Sequence, residues 1–198
     1  MGRAIVNEAS PKDPGRRSRL WNFEDVCDVL KYNKGTEVVE VISFYLDFSK
    51  YDKLTELWDG IQNLHNLVEI DLGYSDDLIE IPDLSRAPNL QIVNLNSCKS
   101  LRQLHPSVFT SPKLRELHLC YCTEIKSLKT DIHSKSLEVL NLSYCYSLVE
   151  FSVTSGEMTF LSLRGTAIHE FPSSIWHNSK LDYLILSECK KLNIVRKN

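Results

Sequence analysis

The stretch LRELHLCYCTEIKSL, residues 114–128, decides the fold. Its apolar residues follow the pattern L-x-x-L-x-L-x-x-C/T/S-x-x-L-x-x-L, and the pattern occurs in six consecutive segments that begin at residues 67, 90, 114, 137, 158 and 181. The spacing between segments is 21 to 24 residues. A short strand followed by a connecting segment at this period is typical of a leucine-rich-repeat solenoid.

We number the positions within each repeat from 0 at its first apolar residue. Positions 0, 3 and 5 are predicted to point inward, the last two because side chains alternate along a strand. One repeat cannot bury its own apolar edge, so neighbouring repeats are expected to stack around a shared core. The predicted fold class is therefore α/β, a leucine-rich-repeat solenoid with parallel strands on the concave face and short 3-10 or irregular segments on the convex face.

Position 8 of every repeat carries a small side chain with a donor group. We expect these residues to form a buried ladder that satisfies backbone groups left open where the chain turns after each strand. Six cysteines in a secreted chain would suggest disulfides. Residues 1–20 contain no apolar stretch typical of a secretory signal, so reduced thiols are expected. The position-8 residues are Ser75, Cys98, Cys122, Cys145, Thr166 and Cys189.

Composition narrows the function classes. The 198 residues carry a formal net charge of -3, and 42% of them are hydrophobic. This balance argues against a strongly basic nucleic-acid binder and against a disordered chain. No apolar run approaches the roughly 18 residues of a membrane helix. We therefore expect neither a nucleic-acid nor a membrane partner, and a cytoplasmic or nuclear location.

Chemistry at the cysteines has little support in the sequence. Cys120 and Cys122 form a C-x-C pair, but no second Cys or His pair completes a metal site. Cys120 and Cys27 are the candidates for a redox-active thiol. Glu116, His118 and Cys120 share one strand face, which could suggest a nucleophile, but an open curved sheet offers no water-excluding pocket. We expect no metal, no cofactor, no catalytic residue and no enzyme activity.

Residues 1–36 differ from the repeats. Pro11, Pro14 and Gly15 indicate a loop, after which Asn22 is a predicted helix N-cap and Gly35 a predicted helix end. Apolar residues between them recur at helical spacing, and residues 38–46 form a β-rich run. The predicted organisation is a small helical unit over 1–36, a junction with a first degenerate repeat over 37–66, and leucine-rich repeats over 67–198.

Four segments resemble a known family. The stretch MGRAIV at residues 1–6 and the block SPKDPGRRSRLW at residues 10–21 resemble the end of the nucleotide-binding module of plant disease-resistance proteins. These proteins are intracellular immune receptors with a TIR domain, a nucleotide-binding switch and leucine-rich repeats. The segments LTELWDGI (54–61) and IPDLS (81–85) resemble their repeat region. The resemblance implies that 1–36 are a remnant of the winged-helix-like end of that module, in a truncated member without the G-x-x-x-x-G-K-[ST] loop or TIR region.

The resemblance also implies a function. The repeats would recognise a pathogen effector or a guarded host protein, or hold the nucleotide switch inactive in a longer parent. The chain could instead be a generic leucine-rich-repeat adaptor or substrate receptor, or a decoy or non-functional receptor fragment. The expected partner is therefore a protein, including the parent's own nucleotide-binding module.

The concave face is the predicted binding surface, because the strands of a solenoid line an extended surface there. Positions 2, 4, 6 and 7 are expected to point to it, and tyrosines at position 7 suit an interface. Phe160, Tyr183 and Ile185 are expected to form an apolar patch in the last two repeats. Arg16, Arg17 and Arg19 are candidates for an intramolecular contact with the nucleotide switch. The candidate concave residues are Glu69, Asp71, Tyr74, His118, Tyr121, Asn141, Tyr144, Phe160, Arg164 and Tyr183.

Overall fold

One parallel sheet of eight strands forms the concave side of the molecule. The structure is a computed structural model and describes residues 14–21, 23–31, 37–43, 62–170 and 172–193. The strands lie in chain order, each beside the next, which is the arrangement expected of a solenoid with one strand per repeat. They are β1 (Arg19–Leu20), β2 (Val41–Ser43), β3 (Glu69–Asp71), β5 (Ile92–Asn94), β7 (Glu116–His118), β10 (Val139–Asn141), β13 (Phe160–Ser162) and β14 (Tyr183–Ile185).

The convex side consists of short elements between these strands. One 3-10 helix, Pro106–Thr110, and one turn of α-helix, α2 (Ser173–Trp176), accompany three pairs of two-residue strands. The prediction of short convex segments is confirmed, and the convex strand pairs are an addition to it. These strands are β4 (Glu80–Ile81) beside β6 (Gln103–Leu104), β8 (Ser127–Leu128) beside β11 (Glu150–Phe151), and β9 (His133–Ser134) beside β12 (Thr154–Ser155).

The register of the sheet places equivalent repeat positions side by side. Leu117 pairs with Val93 on one side and with Leu140 on the other, and all three are position 3 of their repeats. In the first five repeats, positions 0, 3 and 5 are fully buried. The sixth repeat is only partly buried at these positions, because no further described repeat packs on it. The predicted inward positions are thus confirmed.

The segment before the repeats continues the same sheet. Arg19 of β1 pairs with Val41 of β2, and β2 pairs with β3 of the first repeat. Helix α1 (Phe23–Lys31) connects β1 to β2. Its buried face, Val26, Val29 and Leu30, belongs to the same hydrophobic core as the repeats. The described part of this segment therefore packs on the repeats, while the division at residue 36 and the origin of 1–36 in a nucleotide-binding module stay predictions.

Parts of this prediction fall on positions that the structure leaves undescribed. Helix α1 lies where the apolar spacing places it, but Asn22, the predicted N-cap, and Gly35, the predicted end, lie outside the described residues. Within the β-rich run, the strand covers Val41–Ser43, and residues 44–46 also lie outside the described part.

The position-8 cysteines form the predicted ladder, in which Cys98, Cys122 and Cys145 are buried and Cys189 is half-buried. Each thiol donates a hydrogen bond to the backbone oxygen of position 5 in the preceding repeat: Cys98 to Leu72 at 3.2 Å, Cys122 to Leu95 at 3.1 Å, Cys145 to Leu119 at 3.0 Å and Cys189 to Leu163 at 2.9 Å. Every rung therefore joins two repeats through a backbone group that the sheet does not use.

The two hydroxyl positions differ from the cysteine rungs. The Thr166 hydroxyl donates to the Leu163 oxygen at 2.7 Å, which lies within its own repeat. Ser75 is fully buried, and its hydroxyl has no hydrogen-bond partner among the described residues. Both side chains are buried at the expected position, and the Thr166 hydroxyl also lies 3.5 Å from Cys189 Sγ of the next repeat. The two residues therefore belong to the predicted buried ladder without forming the hydrogen bond that the thiols share. All six repeats still place a small side chain at this position.

Candidate functional site

A tight turn follows each strand of the concave sheet. In all six repeats the backbone N–H of position 8 donates to the oxygen of position 5, for example Cys122 to Leu119 at 3.1 Å. Position 7 has a positive φ in every case, between 63° and 70°. A β-turn with positive φ at its third residue is of type II, which favours glycine there. We call these position-7 residues the turn column: Tyr74, Ser97, Tyr121, Tyr144, Gly165 and Glu188.

Five of the six turn-column residues carry a side chain where the backbone favours glycine. The left-handed conformation costs an ordinary residue on the order of 1–2 kcal/mol. Three of the five are tyrosines, which gain nothing from the turn itself, whereas glycine adopts it at no steric cost. Side chains that persist at such strained positions point to a role outside the backbone. The sequence predicts these tyrosines at the binding surface but does not predict their conformation.

Neighbouring turn-column tyrosines stack on one another. The rings of Tyr121 and Tyr144 lie 4.6 Å apart between centroids, with 17° between their planes. The ring of Tyr146 lies 5.9 Å from that of Tyr144. Aromatic pairs of this kind contribute about 0.5–1.5 kcal/mol beyond buried area. The stack therefore offsets part of the backbone cost in the third and fourth repeats.

Arg164 extends the stack into the fifth repeat. Its guanidinium carbon lies 5.1 Å from the centroid of the Tyr144 ring, within the range of a cation–π contact. Its Nη2 donates to Glu188 Oε1 at 2.6 Å, and this hydrogen bond raises the pKa of Arg164. Gly165 leaves room for the ring, since a Cβ there would lie 3.1 Å from Tyr144 Cδ1. The only glycine of the turn column thus sits beside the Tyr144 ring.

These residues form an exposed surface along one edge of the sheet. Tyr121 is 43% exposed and Tyr146 is 54% exposed, and Arg164 is also exposed. We call Tyr121, Tyr144, Tyr146 and Arg164 the tyrosine–arginine strip. Tyr74, 61% exposed, lies two repeats before Tyr121 in the same turn column. The structure therefore brings together three of the sequence-predicted residues, Tyr121, Tyr144 and Arg164. Tyr146, at position 9 of its repeat, was not among the predicted residues.

Two candidate residues at position 4 accept hydrogen bonds from the turn that follows their own strand. Asp71 Oδ1 accepts from the Gly73 backbone N–H at 3.2 Å and from Asn94 Nδ2 at 2.9 Å. Asn141 Oδ1 accepts from the Ser143 backbone N–H at 3.0 Å. Side chains of Asp and Asn commonly cap a turn two residues on in this way. Asp71 and Asn141 therefore line the concave face while also stabilising the turn that carries position 7.

The remaining strand candidates fall into separate groups. His118 pairs with Glu116 at 3.0 Å on β7. Phe160 and Tyr183 lie 6.4 Å apart between ring centroids, and Tyr183 is 65% exposed. Ile185 is half-buried, as is Phe160, so the apolar patch predicted there presents mainly Tyr183. Glu69 lies half-buried on β3, at the other end of the six repeats.

The three N-terminal arginines occupy different environments. Arg17 is 7% exposed, and its Nη1 lies 2.5 Å from Asp25 Oδ2 on α1. This ion pair ties the 3-10 turn at Pro14–Arg16 to the helix. Arg16 and Arg19 are exposed. A contact of these arginines with another module stays a proposal, for which the exposed Arg16 and Arg19 are more accessible than the buried Arg17.

Reactive groups are scarce at the surface that the structure describes. Burial raises the pKa of the Cys120 thiol, which disfavours a reactive thiolate. The described residues contain no group of three or more His, Cys, Asp or Glu side chains that could hold a metal ion. The side chain of Cys27 lies outside the described part. None of the helices described has the length and apolar character that a membrane crossing needs.

One cavity of about 450 Å³ lies where the strands begin, at the edge opposite the turns. Its walls carry charges of both signs, including Lys113, Lys135 and Glu157. Arg115 and Glu138, also in the wall, form a two-pronged pair at 3.0 and 2.9 Å. These charges are therefore partly balanced within the protein itself.

Comparison with known proteins identifies the family. No protein-family model matches the chain. It is 27% identical over 97% of its length to the disease resistance protein RPP2A of Arabidopsis thaliana, covering 20% of that protein. It is 28% identical over 97% of its length to the TMV resistance protein N of Nicotiana glutinosa, covering 22%. The chain is also 44% identical to the disease resistance protein RPP5 of Arabidopsis thaliana. That match spans 71% of this chain and 10% of RPP5.

The chain belongs to the plant disease-resistance proteins of the TIR, nucleotide-binding and leucine-rich-repeat type. The family resemblance seen in the sequence is thereby confirmed. This disease-resistance chain spans about a fifth of the length of the first two relatives. It also resembles the leucine-rich repeat domain of the type III effector XopL, with a TM-score of 0.59, 21% identity, and coverage of 80% of this chain and 55% of that one. That likeness shows the leucine-rich-repeat fold.

Proposed function

We propose that the chain is a protein-binding module of an intracellular plant immune receptor, and that the tyrosine–arginine strip is the centre of its binding surface. The observation that carries this proposal is the tyrosine at positive φ in the turn column. A side chain that stays exposed where the turn disfavours it supports a role in binding, beyond the stacking within the chain.

The composition of the strip supports protein recognition. Tyrosine and arginine are enriched among the interface residues that contribute most to binding. Tyr121 and Tyr144 brace each other through their stacked rings, and Arg164 is held by Glu188. Side chains that are ordered before binding lose less conformational entropy when a partner docks. The strip therefore offers a rigid, partly charged surface rather than a set of mobile side chains.

The partner in this proposal is a pathogen effector or a host protein that the receptor guards. In a longer parent, the same repeats would contact the nucleotide-binding module and hold it inactive, with exposed Arg16 and Arg19 as the candidate contacts at the other end of the sheet. The function is binding without catalysis or a cofactor, in the cytoplasm or the nucleus. Membership of a disease-resistance family supports this assignment over a generic adaptor.

Capture of partner proteins from healthy and infected leaf tissue tests the proposal. The bait is the full chain, compared with a variant carrying Tyr121→Ser, Tyr144→Ser and Arg164→Ser. Serine is a suitable replacement because Ser97 occupies the same turn position at φ 63°. The matched control is Lys129→Ser with Glu150→Ser, an exposed ion pair at 3.0 Å beside the convex strands β8 and β11.

The proposal predicts that the strip variant loses infection-dependent partners which the control variant retains. Equal capture by both variants would contradict it. Loss of capture by the convex control alone would show that the binding surface lies on the convex side of the solenoid. Thermal unfolding of each bait, followed by circular dichroism, confirms that the variants are folded.

A further inference from the structure

The cavity of about 450 Å³ at the edge where the strands begin is a second place where a guest can enter. Its charged wall residues come from the third, fourth and fifth repeats. Cavities that hold small ligands have volumes of about 300–1,000 Å³, so the space is large enough for one guest side chain. The charged residues of the wall are Lys113, Arg115, Lys135, Glu138 and Glu157.

Both carboxylates of the wall already have a cation within the chain. Glu138 accepts two hydrogen bonds from Arg115, at 3.0 and 2.9 Å, and these bonds lower the pKa of the Glu138 carboxyl. Glu157 Oε2 lies 2.5 Å from Nζ of Lys180, which belongs to the sixth repeat and is not part of the wall. The negative charges of the cavity are thus neutralised by the chain itself.

The two lysines of the wall have no such counter-charge. Lys113 Nζ donates to Asn89 Oδ1 at 2.7 Å, which is a neutral amide oxygen. The side chain of Lys135 makes no ion pair or hydrogen bond with any residue in the described part of the chain. Once the paired charges are set aside, the cavity therefore keeps an excess of two positive charges.

The repeat geometry allows both lysines to contact one anion. Lys113 lies one residue before position 0 of the third repeat, and Lys135 lies two residues before position 0 of the fourth. Their strands, β7 and β10, are direct neighbours in the sheet and are thus about 5 Å apart. An oxyanion accepts from an ammonium group at about 2.8 Å, so one anion can join two donors at this separation. The half-buried Gln91 adds a side-chain amide to the same wall.

We propose that this cavity, which we call the lysine cavity, binds a phosphate monoester on a side chain of a protein partner. A phosphorylated serine, threonine or tyrosine carries about −1.5 to −2 charges at pH 7 and three acceptor oxygens. This charge matches the excess of two positive charges, whereas a carboxylate supplies only one. The inference rests on the proposed protein-binding function and adds a second contact, at the edge of the sheet opposite the tyrosine–arginine strip.

Titration of the full chain with short probes tests the proposal in a phosphate-free buffer of low ionic strength. The probes are acetyl-Gly-phosphoserine-Gly-amide, its counterparts with Glu or Ser in place of phosphoserine, and inorganic phosphate. The readout is the NMR shift of the backbone amides of Lys135 and Ser136, which line the cavity. We expect the phosphopeptide to shift these amides and to bind at least about fivefold more tightly than the Glu peptide.

The other probes distinguish the possible sources of the anion. Equal binding of the Glu peptide would overturn the proposal in favour of any carboxylate, and equal binding of the Ser peptide would overturn it by removing the need for an anion. Inorganic phosphate that binds as tightly as the phosphopeptide would overturn the assignment to a partner's side chain in favour of a free anion.

A pair of lysine variants tests whether the cavity itself holds the probe. Lys113→Gln with Lys135→Gln removes the two unpaired charges of the wall. The matched control, Lys126→Gln with Lys190→Gln, removes two exposed lysine charges outside the wall. We expect the cavity variant to weaken phosphopeptide binding by at least about tenfold and the control to retain it. Equal weakening in both would overturn the proposal in favour of net charge alone.

A variant that should bind more tightly keeps the test independent of folding defects. Glu138→Gln removes a carboxylate from the wall and frees Arg115 for the guest. We expect phosphopeptide binding to tighten by at least about threefold, and the control Glu124→Gln, exposed and outside the wall, to tighten it less. Unchanged or weaker binding by Glu138→Gln would overturn the proposal.

The synthetic probes keep this test separate from the capture of partners in leaf tissue. Phosphopeptide binding without any captured partner would refute the proposed function and leave the lysine cavity as an anion site. Capture that depends on the tyrosine–arginine strip, with no phosphopeptide binding, would overturn the lysine cavity and leave the proposed function in place.

Discussion

Alkaline pH is the perturbation to which the cysteine ladder should respond most strongly. Burial raises the pKa of the Cys98 and Cys145 thiols to about 12, from an ordinary value of 9.0, and it raises the pKa of Cys122 as well. In the unfolded chain the same thiols lose their protons near the ordinary value. Because the folded pKa is the higher one, the stabilisation is fully present below about pH 9 and is lost as the pH rises toward the folded pKa.

The size of the effect follows from proton linkage. Between the unfolded and the folded pKa, each buried thiol lowers the unfolding free energy by about 1.4 kcal/mol for every unit by which the pH rises. Three thiols together give a slope of about 4 kcal/mol per pH unit. Between pH 9 and about 10.5 the loss reaches about 6 kcal/mol, comparable with the whole stability of a typical domain, which is about 5–15 kcal/mol. The chain should therefore unfold at a much lower urea concentration at the upper end of this range than at pH 9.

Urea unfolding at a series of pH values, in the presence of a reductant and followed by circular dichroism, measures this slope. The comparison is the variant Cys98→Ser, Cys122→Ser, Cys145→Ser, because a serine hydroxyl does not ionise in this range. All other ionisable groups are the same in both proteins, so their contributions cancel in the difference. We expect the wild type to lose stability more steeply by about 4 kcal/mol per pH unit.

Identical slopes in the two proteins would refute the reasoning. Each single variant provides an internal check, since Cys122→Ser alone should remove about a third of the difference. A single variant that removes none of it would show that its thiol is exposed or ionised in the folded chain. The comparison depends only on slopes, so a lower starting stability of the variants does not affect it.

Three further predictions concern packing and surface charge. Gly165→Ala should lower the unfolding free energy by about 1–2 kcal/mol in urea titration, because the φ of 70° is strained for alanine and its Cβ would lie 3.1 Å from Tyr144 Cδ1. An unchanged free energy would show that the ring lies elsewhere. Leu140→Ala should cost about 2–5 kcal/mol, since this fully buried leucine contacts both neighbouring repeats, and a cost below about 1 kcal/mol would contradict the shared core. Arg115→Ala should leave the unfolding free energy nearly unchanged in spite of the two-pronged pair with Glu138, because both side chains are exposed, and any small effect should vanish in about 1 M salt.

Much of the fold could be predicted from the sequence, because one pattern carries several constraints at once. The leucines at positions 0, 3 and 5 set both the repeat length and the inward face, so the register of Leu117 between Val93 and Leu140 follows. Small position-8 residues such as Cys122 then mark the interior of each turn. Side-chain alternation and stacking leave no other arrangement that buries these positions.

The conformation of the turn column could not be predicted in this way. Tyrosine is not a residue that indicates positive φ, and Gly165 was the single glycine in the column. The left-handed conformation is set by hydrogen bonds between repeats, such as Tyr121 N–H to the Ser143 oxygen at 2.9 Å, which become visible only when repeats are stacked. The capping role of Asp71 depends on the same turn.

The structure of the N-terminal region also could not be predicted from the repeat pattern. Strand β1 has only two residues, Arg19 and Leu20, too few for any alternation to show. The burial of Arg17 depends on Asp25, eight residues away on the other side of β1, and no local rule pairs them. These features depend on how the segment packs against the first repeats, which the repeat pattern does not describe.

Hydroxyl-radical footprinting of the wild-type chain, alone and with a captured partner, tests the central claim most directly. Tyrosine and tryptophan side chains are both oxidised readily when exposed, and the chain offers one of each on opposite sides: Tyr121 in the strip and Trp176, 58% exposed, on the convex helix α2. If the tyrosine–arginine strip is the binding surface, the partner will reduce oxidation of Tyr121 and leave that of Trp176 unchanged. Protection of Trp176 with no change at Tyr121 would contradict the account.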